Sequence, residues 1–144
     1  MLELDSRYIL MEKISKIYVV DDDPITVFGI KKILSLIVEC DNIETFGNGK
    51  LAIESIKNVL EEGDDLPEII FLDINMPVMD GWQFMAEFIE LPIVKKVRIN
   101  VITSSIDAAD HESWAYYKKN THHHLEYVNK PAKRAELEKI TKSV

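Results

Sequence analysis

The 144-residue chain is 47% hydrophobic and 29% charged, which suffices for one buried core and is most simply a single domain. A formal net charge of -8 and a pI of about 5.0 argue against a binder of nucleic-acid phosphates, which needs a basic stripe, and make an anionic membrane a poor partner. Cys40 is the single cysteine and closes no internal disulfide. No basic segment leads into an apolar stretch near the start, and no apolar run approaches the ~20 residues of a membrane helix. The expected location is the cytoplasm, with neither membrane nor nucleic acid as partner.

Residues 1–15 read as an N-terminal extension and 16–144 as the folded domain. The first strand is Ile17 to Val20, a short apolar run suited to burial on both faces, and it stops on Asp21, Asp22 and Asp23. Asp23 and Pro24 start a helix, one as cap and the other at the first helical position. Ile25, Phe28, Ile33, Leu36 and Ile37 then recur at near-helical spacing. A weaker strand, Asn42 to Phe46, closes on Gly47-Asn48-Gly49, and a helix runs from Lys50 to about Leu60. After the break at Gly63 to Pro67, the strand Glu68 to Asp73 repeats the opening pattern of a buried run ending on an acid. A turn, Met76 to Gly81, leads into a helix from Trp82 to about Glu90, followed by the strand Arg98 to Thr103. Asp107 caps the next helix, to about Lys119, with Asp110 in its first turn; Leu125 to Asn129 and Pro131 to about Thr141 form the last strand and helix. Strands and helices alternating in this way imply an α/β fold, a five-stranded parallel sheet doubly wound by helices on both faces.

The consecutive acids need a physical reason. Adjacent carboxylates beside a low-dielectric core repel one another and are driven towards the neutral form unless a cation is supplied. In doubly wound sheets ligands bind outside the carboxyl ends of the strands, and there the chain places Asp21, Asp22, Asp73, Thr103 and Lys130. A hard divalent cation, Mg²⁺, between the Asp21-Asp22 pair and Asp73 answers the repulsion, because carboxylate oxygens and waters are its preferred ligands.

Four segments carry a resemblance: VVDDDP (Val19 to Pro24), IIFLDINMPVMDG (Ile69 to Gly81), VITSS (Val101 to Ser105) and YVNKP (Tyr127 to Pro131). In this order, at successive strand ends, they resemble the receiver domain of two-component response regulators, of the stand-alone chemotaxis type. The resemblance implies the strand order 2-1-3-4-5 and a phosphoprotein that performs only its own phosphoryl transfer and slow dephosphorylation. Asp73 is then the phosphoacceptor for a sensor histidine kinase or phosphotransfer protein. Asp22 binds Mg²⁺ directly, Asp21 through a metal-bound water, Asp73 by its carboxylate and Asn75 by its backbone carbonyl. Lys130 pairs with the phosphoryl oxygens, Thr103 hydrogen-bonds one of them, and Tyr127 is the aromatic whose position tracks Thr103. In receivers the bond matching Lys130-Pro131 is commonly cis. Only 14 residues follow Lys130, so the expected output is contact with a downstream protein target. The face built from residues 107–144 is the expected surface for that partner or for a homodimer.

Two other chemistries compete. A haloacid dehalogenase-type phosphatase also sets an aspartate nucleophile at a strand end, but it expects a second acid two residues on, where this chain has Asn75. A flavodoxin-type mononucleotide binder expects a Ser/Thr/Gly-rich loop after the first strand, where Asp21 to Asp23 would repel a phosphate. Structural readings stand beside the functional ones: Asp23 is a helix cap, Thr103 and Tyr127 suit any strand, and Lys130 suits a solvated strand end. The run His122-His123-His124 cannot converge on one ion along an extended segment, so it reads as exposed polar residues of a connection. Thr103 and Lys130 lie 27 residues apart, long for a receiver, with the extra length around Lys118 to His124 and without the usual Gly-Ala-type turn. Trp114 and Tyr117 share a helical face suited to the core, whereas Tyr116 lies off it.

Overall fold

The computed structural model describes residues 11–105 and 107–142. In chain order the elements are β1 (Glu12–Lys13), β2 (Ile17–Val20), α1 (Pro24–Ile37), β3 (Val38–Glu39), β4 (Ile43–Phe46), α2 (Gly49–Glu62) and β5 (Ile69–Leu72). There follow α3 (Gly81–Phe88), β6 (Arg98–Thr103), α4 (Ala108–Asn120), β7 (His124–Asn129) and α5 (Arg134–Thr141). The main sheet is parallel throughout in the order β4-β2-β5-β6-β7, which for its five strands is the expected 2-1-3-4-5.

The central strands β2 and β5 are buried at every position, as helices on both faces demand. Alternate residues feed two cores. Tyr18, Val20, Ile70 and Leu72 point to the side of α2 and α3; Ile17, Val19, Ile69 and Phe71 point to the side of α1 and α5.

Helix starts follow local chemistry. The Asp23 carboxylate accepts from Ile25 N at 3.1 Å with Pro24 in the first turn, and Asn48 Oδ1 accepts from Leu51 N at 2.9 Å. Asp80 and Gln83 form a reciprocal capping box, and Gly63, at φ 73°, closes α2 in the left-handed region that glycine tolerates. Asp107 occupies the N-cap position of α4 without a side-chain cap bond. None of the described helices is long and apolar enough to cross a membrane.

Several expectations are corrected. A two-stranded parallel sheet pairs β1, ahead of the expected first strand, with β3, and two residues per strand carry no readable period. Ile14, just after β1, is buried in the core beneath α1. The last helix starts at Arg134 rather than Pro131, with Lys133 N donating to Glu136 Oε1 at 3.2 Å; the Lys130-Pro131 bond ahead of it is cis. The histidine run is not uniformly exposed. His123 is 5% exposed, its Nδ1 accepts from Val97 N at 2.9 Å, and its ring packs on Phe88 at 4.9 Å. The amide just ahead of β6 needs an acceptor, and His123 supplies it. His124 opens β7, exposed and paired with Glu126 at 2.8 Å.

Candidate functional site

β2, β5, β6 and β7 all end at one edge of the sheet, so their next residues meet there. Asp21 and Asp73 directly follow the buried runs of β2 and β5, and each is 5% exposed, while Asp22 faces solvent. A backbone bond from Asp73 N to Val20 O at 2.9 Å holds these two strand ends together, and Asp21 N donates to Phe46 O of β4 at 3.0 Å. Asp21, Asp22 and Asp73 each offer a carboxylate oxygen within 4.8 Å of the others, an all-oxygen donor set that fits a hard divalent cation.

The acids have different freedom. Asp21 Oδ1 accepts from Asp23 N at 2.9 Å and its Oδ2 lies 3.0 Å from Lys130 Nζ, so both oxygens are engaged. Lys130 Nζ also stands 3.5 Å from Asp73 Oδ1. Burial pushes the Asp73 carboxyl up to about 6 and the Asp21 charge adds to the rise, against the pull of Lys130 and of the Asn75 and Ile74 amides. Burial works to lower the Lys130 ammonium, but its hydrogen bond and charge pairing with Asp21 and Asp73 outweigh that and hold its pKa above the ordinary value. Two buried acids thus share one cation, leaving negative charge in excess.

The loop after β5 is packed against the acid. A Cβ on Gly81 would come 2.5 Å from the Asp73 carbonyl oxygen and 2.9 Å from Ile74 Cα, so only glycine permits this approach. Asn75 lies in the same loop with its side chain exposed. Val78, three residues on, holds φ 68°, a strained conformation for a β-branched residue.

Thr103, at the end of β6, is fully buried; its carbonyl accepts from Lys130 N at 2.9 Å and its Oγ1 from Ser105 N at 3.0 Å. Tyr127 is half-buried on β7, its hydroxyl donating to Ser105 O at 3.0 Å and its ring stacked on His111 at 4.9 Å. Asp21, Asp22, Asp73 and Lys130 therefore form one cluster, while Thr103 and Tyr127 converge on Ser105. Sequence reasoning passed over Ser105, and also Asp110 and Trp82, which are bonded to one another. By local pattern Asp110 is only a first-turn acid and Trp82 only a helix start. Trp114 and Tyr117 pack partly on the core and Tyr116 is 60% exposed, as their spacing indicated.

Residues 17–142 match the response regulator receiver domain, and the chain belongs to that family of two-component signalling modules. A two-component response regulator of Oryza sativa subsp. japonica is 31% identical over 130 residues, covering 90% of this chain and 20% of the relative. The chain thus spans about a fifth of that curated relative's length. Among solved structures, a two-component response regulator from Cytophaga hutchinsonii superposes with a TM-score of 0.72 at 26% identity, covering 90% of this chain and 95% of the other. The phosphorylated cyanobacterial phytochrome response regulator RcpA gives a TM-score of 0.66 at 25% identity, with 89% of each chain covered.

Proposed function

We propose that Asp73 accepts a phosphoryl group, with Mg²⁺, from the phosphohistidine of a sensor kinase or phosphotransfer protein, and that the modified domain signals by protein contact in the cytoplasm. One observation carries the reading. The nucleophile candidate, Asp73, and the ammonium of Lys130 are 3.5 Å apart within an oxygen-lined acid cluster that carries too little positive charge for itself. Asp22, Asp73 and the backbone carbonyl of Asn75 would hold Mg²⁺, with Asp21 acting through bound water; the ion supplies positive charge to the oxygens being transferred.

The chain's own groups do the rest. An Asp73 carboxylate oxygen attacks phosphorus in line, the P–N bond to the donor histidine breaks, and an acyl phosphate forms on Asp73. Lys130 offers its N–H donors to the phosphoryl oxygens, its charge offsetting one of theirs. Because both Asp21 oxygens are already bonded to Asp23 and Lys130, Asp21 fits an indirect role better than Asp22 does. Thr103 and Tyr127 are the switch pair, and the α4–β7–α5 face, with exposed Tyr116, is the surface presented to a target or a second copy.

Treatment with phosphoramidate, a small donor carrying a P–N bond, tests this. The protein gains one phosphate with Mg²⁺ present and none with chelator or after Asp73→Asn. Undiminished labelling of that variant contradicts the assignment.

A further inference from the structure

Ser105 is tied on three sides. Its amide donates to the hydroxyl of Thr103 at 3.0 Å, its carbonyl accepts from the hydroxyl of Tyr127 at 3.0 Å, and its own hydroxyl donates to the Asp110 carboxylate while its oxygen accepts from Asp107 N at 3.2 Å. The second Asp110 oxygen accepts from Trp82 Nε1 at 2.9 Å. One half-buried carboxylate on α4 therefore joins α3 to the loop that follows β6. Both ends of this bridge reach the site. Trp82 follows Gly81, which abuts the Asp73 carbonyl, while Ser105 holds the two switch hydroxyls.

We propose that Asp110 is a positioning residue: it fixes Ser105, and through the Ser105 backbone it sets the hydroxyls of Thr103 and Tyr127 for the phosphorylated state. The physical reason lies in the donors. With its oxygen accepting from Ser105 N, the Thr103 hydroxyl has its proton free to give to a phosphoryl oxygen. That direction is defined only while Ser105 stays in place. Hydrogen bonds to a charged carboxylate are stronger than those to a neutral acceptor, so the Asp110 bridge is the firmest side-chain tie on this loop. The aromatic neighbours reinforce it: Trp82 stacks on Tyr117 at 5.8 Å, and His111, next to Asp110, stacks on Tyr127 at 4.9 Å. The inference rests on the receiver reading above but concerns a residue that touches neither the acids nor the cation.

The test titrates beryllium fluoride, a phosphoryl mimic, at saturating Mg²⁺ into the full chain and follows tryptophan emission in a Trp114→Phe background, which leaves Trp82 as the reporter. Asp110→Ala weakens binding of the mimic roughly three- to tenfold, the size expected for one lost organising hydrogen bond, while Mg²⁺ affinity stays unchanged. Asp110→Asn, whose amide can accept from Trp82 and donate to Ser105, restores most of that loss. Ser105→Ala, which leaves the Asp110 to Trp82 bond intact, reproduces the Asp110→Ala loss and guards against a folding defect at Asp110. Wild-type affinity for the mimic in both alanine variants overturns the proposal, and so does an Asp110→Asn variant as weak as Asp110→Ala. A parent protein that binds no beryllium fluoride with Mg²⁺ refutes the receiver chemistry itself and this proposal with it.

Discussion

Lys130 stands closer to Asp21 than to Asp73, at 3.0 Å against 3.5 Å, so the ammonium is shared and its nearer partner is the acid with both oxygens engaged. Removing Lys130 leaves two buried carboxylates facing each other without compensation. Lys130→Ala is expected to destabilise the metal-free protein by about 1–3 kcal/mol at neutral pH, less than a fully buried pair because the lysine is partly exposed. Mg²⁺, binding the folded state alone, should recover part of the loss. Urea unfolding with and without Mg²⁺ checks this; equal stability of both proteins without metal would count against the shared-cation geometry.

Gly81 fixes the position of the Asp73 backbone. A methyl group 2.5 Å from the Asp73 carbonyl oxygen must push the loop away. Gly81→Ala should cost roughly 1–3 kcal/mol and slow phosphorylation of Asp73 more than it weakens Mg²⁺ binding. Wild-type stability together with a wild-type labelling rate would mean that the approach is not constrained.

His123 makes stability depend on pH. Burial, with His122 adding, pushes its imidazole from 6.5 down to about 4 in the folded protein. Its contribution is therefore complete above pH 6.5 and is lost as pH falls through that value towards 4, because the unfolded chain takes the proton first. Between pH 7 and pH 5 the wild type should lose about 2 kcal/mol more than His123→Gln, whose other titrating groups are the same. Parallel pH profiles for the two proteins would contradict this.

Asn100 sits buried on β6, between Phe71 and Glu126 in register, and its side-chain amide finds no hydrogen-bond partner among the described residues. A buried amide without partners costs free energy that an apolar side chain of similar size does not. Asn100→Leu should raise stability by about 1 kcal/mol in urea unfolding, without changing phosphorylation. A loss of stability would show that the amide is satisfied in solution.

The acid cluster was legible because Asp21 and Asp73 directly follow buried runs, and a charge at the end of such a strand is a local pattern. Asp21, Asp22, Asp73 and Lys130 needed only the strand ends and the parallel order to be placed together. Other features depend on how distant segments fold back. The burial of His123 follows from where the connection between α4 and β7 crosses the start of β6, which no periodicity reveals. Trp82, Ser105 and Asp110 come from a helix, a loop and a second helix, each with an ordinary local reading as helix start, loop polar residue and first-turn acid. Two-residue strands such as β1 and β3 lie below any sequence period. Ahead of α5, the segment Pro131 to Lys133 adjoins a helical pattern, yet it turns before the helix begins at Arg134.

A phosphoryl group carried on one carboxylate is identified by reduction of the labelled protein. Borohydride converts an aspartyl phosphate to homoserine, so peptide mass spectrometry after phosphoramidate, Mg²⁺ and borohydride reads the site chemically. Homoserine is expected at position 73 alone, dependent on Mg²⁺. Homoserine at position 21 or 22, or a stable phosphate on a hydroxyl or histidine side chain with Asp73 unchanged, would contradict it.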